Sequence, residues 1–103
     1  MQGNLGNLFD AIKEMRTIYP AWPSQRLHIL LAVALDPGCR MDEIQAKIGL
    51  SQAAISRNIQ ELEQEDGMVK TVNDPDDWRC LLTYPTKKGK QFLDNFCTTA
   101  LPR

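Results

Sequence analysis

The apolar positions change period along the chain, and each change predicts a new element. Between residues 4 and 16, Leu5, Leu8, Phe9, Ile12 and Met15 recur three or four apart, which predicts an amphipathic helix with one apolar stripe. The stretch YPAWP stops it, because proline cannot continue the helical ladder and restricts the residue before it. Residues 24–35 are apolar on nearly all sides, so they predict a central buried helix with Ser24 as its expected cap. DPG at 36–38 turns the chain. Met41, Ile44 and Ile48 mark a third helix over 41–48, closed by Gly49. Ser51 then opens a fourth helix, whose buried row is Ile55, Ile59 and Leu62 and which Gly67 ends.

After Gly67 the period falls to two. Residues 68–73 read as a strand, DPDD as a turn and residues 79–84 as the returning strand. Thr86 caps a last helix over 87–98 with Phe92, Leu93 and Phe96 on its apolar side. Two helices joined by a short glycine-bearing turn are a helix-turn-helix. With the hairpin that follows, they make a winged helix-turn-helix, mainly α with a small β-hairpin wing. One domain is expected over 1–103. Residues 24–85 form its core, and the terminal helical regions 1–18 and 86–103 carry spare apolar stripes. Those stripes either pack on each other or meet a second chain. A minimal winged helix closes its core without both, which favours a homodimer with Leu5, Leu8, Phe9, Ile12, Phe92 and Phe96 in its interface.

Composition narrows the function. With 43% hydrophobic and 24% charged residues, the chain can build a core. No apolar run reaches the ~18 residues of a membrane span. The longest, residues 27–35, lies inside the chain, and the N-terminus has no basic region of a signal peptide. A cytoplasmic protein without membrane contact is expected. Cys39, Cys80 and Cys97 are widely spaced, form no CxxC and have only His28 for company, so neither a metal site nor a cofactor is expected and the thiols read as reduced. No nucleophile with a base and no phosphate-binding glycine loop is present, so the chain does not read as an enzyme.

The fourth helix is the candidate reading head. Opposite its buried row lie slim or hydrogen-bonding side chains, which a major groove admits. Ala53 allows close approach and can meet a thymine methyl. Gln52 and Gln60 can pair with adenine, Arg57 can fork onto guanine, and Ser56 flanks them. Ser51 and the free backbone N–H groups of the first turn suit a phosphate. Gln52, Ser56 and Gln60 can equally solvate a surface helix. The formal net charge of −1 counts against nucleic-acid binding. The acids cluster, however, with Glu61, Glu63, Glu65 and Asp66 at the far end of the fourth helix and Asp74, Asp76 and Asp77 at the wing tip. The wing-tip trio opposes phosphate contact. Trp78 between Asp77 and Arg79 can stack on a sugar or cover the wing base. Lys87, Lys88 and Lys90 fit either phosphate contacts or a solvated helix.

DEIQAKIGLSQAAISRNIQELEQEDGMV resembles the helix-turn-helix of MarR-type transcriptional regulators. In DWRCLLTYPTKKG, Asp77 and Arg79 stand where that family's wing has Asp-x-Arg, and Thr86 and Gly89 where it has Thr-x-x-Gly. Pro85 replaces the family's usual leucine before the threonine. The resemblance covers about residues 25–92. It implies a homodimer that places its recognition helices in successive major grooves of double-stranded DNA. Arg79 would enter the minor groove, with Asp77 orienting it. The last helix is short for that family, and a small-molecule effector is not expected. The competing reading is a winged helix for protein–protein contact, using the acidic wing and Trp78.

Overall fold

The structure, a computed structural model, describes residues 2–101, with side chains from residue 5 onward. Helix α1 spans Gln2–Ile18, two residues beyond the expected 4–16 at each end. Tyr19 extends its ladder by one bond to Met15, and Pro20 follows. Helix α2 is Ser24–Leu35. Its cap corrects the sequence reading: Pro23 holds the N-cap position in extended backbone, its carbonyl accepts from Arg26 N–H, and Ser24 is already helical and caps nothing. Strand β1, Cys39–Arg40, leads directly into α3, Met41–Ile48. Helix α4 is Gln52–Gln64, strand β2 Val69–Asn73, strand β3 Leu81–Pro85 and helix α5 Lys87–Ala100.

The three strands form one antiparallel sheet in the order β1-β3-β2. Thr83 sits at its centre, opposite Cys39 on one side and Thr71 on the other. The periodicity did not reveal β1, because two residues are too few to show an alternation. Arg79 and Cys80 also fall outside the returning strand predicted for 79–84. Cys80 N–H donates to the Asp77 carbonyl at 2.8 Å, and Arg79 N–H to the Asp77 side chain at 3.2 Å. These bonds hold both residues in the turn.

The core lies where α2, α3, α4 and the sheet meet. Ile29, Leu30 and Val33 from α2, Ile44 from α3, Ile55, Ile59 and Leu62 from α4, and Met68 and Val69 from the start of the wing are all buried. Each large aliphatic group removed from water in this way contributes about 1.5–3 kcal/mol. One charge lies among them. Arg26 of α2 donates Nε–H to Asn58 Oδ1 at 3.1 Å, pairs with Glu61 and stands 3.9 Å from Asp66. Trp22 Nε1–H also donates to Asp66, at 3.0 Å. Burial pushes the Asp66 carboxyl above its ordinary value, while Arg26 and the Trp22 bond pull the other way.

Helices α1 and α5 pack together at the termini, and the molecule measures 47 × 24 × 24 Å along its principal axes. No helix among the described residues is long and apolar enough to cross a membrane.

Candidate nucleic-acid interface

Two glycines shape the path into and out of α4. Gly49 takes a left-handed φ of +82°, which a side chain would strain, and its N–H caps α3 on the Gln45 carbonyl. Regular α4 stops at Gln64, and Gly67 at φ +66° turns the chain so that Met68 N–H bonds back to Leu62. At the other end, Ser51 Oγ accepts from Ala54 N–H at 3.2 Å, the cap expected from the sequence. With Ile55, Ile59 and Leu62 locked inward, the 3.6-residue period puts Gln52, Ala53, Ser56, Arg57 and Gln60 on one exposed face. Arg57 forms no ion pair or side-chain hydrogen bond with any described residue, so its guanidinium faces solvent with its donors uncommitted.

Three of the four acids at the end of α4 are engaged within the fold rather than left free on its surface. Glu61 and Asp66 face Arg26. Glu63 accepts from Thr71 N–H at 2.8 Å and from its hydroxyl at 3.0 Å, which ties α4 to β2. Glu65 alone of the four has no side-chain partner among the described residues. Sequence reasoning missed this network, including the buried Asn58, whose amide also donates to the Ala54 carbonyl at 2.9 Å. The available signal was an arginine in the first turn of the helix read as central and buried, where a charge must find acceptors.

The wing turn is built from its own polar groups. Asp74 N–H bonds to Cys80 O at 2.9 Å, Asp76 N–H to Asp74 Oδ1 at 2.8 Å, and the Asn73 amide to Trp78 O at 2.5 Å. Asp77 accepts from Arg79 three times, from Nε at 3.1 Å, from Nη2 at 3.5 Å and from the backbone N–H at 3.2 Å. The Arg79 side-chain bond, then its backbone bond, holds the Asp77 carboxyl below its ordinary value. Asp77 therefore stays charged and fixes the base of the Arg79 side chain, which is otherwise exposed. Arg79, Arg40, Asp42 and Gln52 line one cleft, so the wing arginine and the first turn of α4 share a face. Arg40 also donates from Nη2 to the Cys80 sulfur.

Behind the wing, Thr86 and Gly89 have a structural purpose. Thr86 Oγ1 donates to Gly67 O at 2.7 Å and accepts from Gly89 N–H at 3.1 Å, capping α5. A Cβ on Gly89 would stand 2.2 Å from the Met68 carbonyl oxygen. The Thr-x-x-Gly motif thus lets the first turn of α5 lie on the chain entering the wing.

The terminal helices divide the remaining residues. Leu5, Leu8 and Phe9 are exposed, Ile12 is half-buried, and Ala11 and Met15 turn inward. Leu5, Leu8, Leu31, Phe96, Cys97 and Leu101 line a wholly apolar groove. Phe92 is placed inside the protomer, edge-on to Tyr19 and Trp22 with ring centroids 5.6 and 5.5 Å away. Cys39 is buried, Cys80 half-buried and Cys97 exposed, all as free thiols, and burial raises the Cys39 thiol above its ordinary value. No three His, Cys, Asp or Glu side chains gather to hold a metal among the described residues.

A sequence profile of the MarR family matches residues 23–79, more than half of the 103-residue chain. The chain belongs to the MarR family. Members of that family are transcriptional regulators rather than enzymes. No curated protein sequence matches this MarR-family chain. Solved structures share its fold. A mutant MarR from E. coli complexed with operator DNA superposes with a TM-score of 0.77 at 15% identity, over 97% of this chain and 67% of that one. FabT of Streptococcus pneumoniae in complex with DNA gives 0.74 at 14% identity, over 89% and 64%. The PcaV transcriptional regulator of Streptomyces coelicolor, in complex with its natural ligand, gives 0.65 at 22% identity, over 78% and 61%. This MarR-family chain thus spans less than two thirds of the length of FabT and PcaV.

Proposed function

We propose that this protein is a sequence-specific double-stranded DNA-binding transcriptional regulator that acts as a homodimer in the cytoplasm. One observation carries the reading. The exposed face of α4 presents Gln52, Ala53, Ser56, Arg57 and Gln60, uncluttered by the acids of the same helix, beside a wing arginine held by Asp77. Ser51 and the first-turn N–H groups hold a phosphate. Gln52 and Gln60 read adenine, Arg57 reads guanine, and Ala53 lets the helix sit close to a thymine methyl. Arg79 reaches the flanking minor groove. Residues 24–85 are the binding core, and residues 1–18 and 86–103 join two copies through Leu5, Leu8, Phe9, Ile12 and Phe96. Phe92 supports that surface from inside. The reading needs no small-molecule effector. DNA in the complexes of the E. coli MarR mutant and of FabT supports it by likeness of fold.

The test is a titration of a labelled duplex across a salt series. Binding that weakens steeply with salt is expected, since each neutralised phosphate releases counterions. A folded protein that binds no duplex even at low salt overturns the reading.

A further inference from the structure

Trp78 is 76% exposed at the wing tip, the most exposed aromatic ring among the described residues. The aromatic contacts of the fold involve Tyr19, Trp22, Phe92 and Phe96, not Trp78. Its backbone is fixed all the same. Its carbonyl accepts from the Asn73 amide, and bonds from Asp77 N–H to Asp74 O and from Cys80 N–H to Asp77 O close the turn on either side. The fold therefore presents a large ring at a defined place, next to Arg79.

We infer that Trp78 is itself a DNA contact of the wing, laying its indole face on deoxyribose at the wall of the minor groove that Arg79 enters. The inference rests on the proposed DNA-binding function and deepens it. Charge selects this kind of contact. Residues 74–79 carry three carboxylates and one guanidinium, and that guanidinium is shared with Asp77. Apart from Arg79 itself, a tip of this composition is repelled by phosphates. It gains from uncharged surface, which deoxyribose offers. The indole nitrogen is a donor with no acceptor function, and the minor-groove edges of A·T pairs present only acceptors. The uncharged ring face suits a groove wall better than a backbone phosphate, and the N–H finds acceptors at either.

The same logic gives the contact a signature. Packing on sugar releases no counterions, so it adds affinity without adding salt dependence. Wild type, Trp78→Ala, Trp78→Phe and Arg79→Ala are titrated with a short random-sequence duplex at several salt concentrations, after matching melting temperatures confirm folding. Trp78→Ala is expected to weaken binding about fivefold, as the loss of buried apolar ring surface gives, at an unchanged slope of log affinity against log salt. Trp78→Phe recovers much of the loss. Arg79→Ala lowers the slope by about one. If Trp78→Ala binds as wild type does, or if it lowers the slope as Arg79→Ala does, this inference falls and the DNA-binding function stands. If wild type binds no duplex, both fall, and the exposed ring with its acidic surround points to a protein partner instead.

Discussion

Arg79 and Asp66 show how single residues are set by their neighbours. Asp77 has its carboxyl below the ordinary carboxylate value because Arg79 donates to it. A depressed carboxylate keeps its favourable interaction above the unfolded value and loses it only as pH falls through the lowered folded one. The arginine therefore stays positioned at neutral pH. Asp77→Asn is expected to weaken DNA binding less than Arg79→Ala does, because the guanidinium remains but is no longer held, and duplex titrations of the two variants side by side will check the order. Asp66 is the opposite case. Its folded value lies above the unfolded 3.8, chiefly through burial. Its ionised form therefore costs stability above the folded value, and acidification towards 3.8 relieves that cost. Asp66→Asn, which keeps an acceptor for Trp22, is expected to hold or raise the melting temperature at neutral pH and to flatten its rise on mild acidification. A clear drop at neutral pH would mean that the Arg26 attraction outweighs burial.

At the scale of elements, the sequence makes the helices and the wing hairpin legible and hides β1, the exact start of β3 and the buried polar network. The helices, the glycine joint at Gly49, the caps at Ser51 and Thr86, and the outward face of α4 follow from period and cap chemistry alone. Strand β1 does not, because its pairing depends on β3, some 40 residues away. The turn position of Arg79 escapes as well, since an Asp77 side-chain bond overrides the strand preference of the residues that follow. The buried Arg26 network needs two helices to be docked before its partners meet. What the sequence shows as a family motif, Thr86 with Gly89, the structure explains as a cap and a close approach. Gly89→Ala is therefore expected to destabilise the fold by about 1–3 kcal/mol, the range for overpacking, although alanine is the better helix former. Chemical denaturation will measure it, and unchanged stability would show that α5 can shift away from Met68 at no cost.

For the whole molecule, net charge is a poor guide to the surface that DNA would meet. The sum of −1 includes acids engaged by Arg26, Thr71 and Arg79, while Arg57 projects freely. Dimerisation belongs to this scale too. Leu5, Leu8 and Phe9 are exposed on a helix whose other side is already packed on α5. Phe9→Asp is expected to shift the protein towards monomer in sedimentation experiments with its helix content intact, because Phe9 is 69% exposed. Weaker binding to paired half-sites should accompany the shift. An unaltered oligomeric state would place the interface elsewhere.

Selection from random duplex DNA, with wild type beside Arg57→Ala, tests the central claim most directly. A palindromic motif for wild type, with the base step opposite Arg57 relaxed in the variant at a loss of about 1–3 kcal/mol, is the predicted result. An identical motif from both proteins, or no enrichment by folded wild-type protein at low salt, would contradict the reading of α4 as the recognition helix of a dimer.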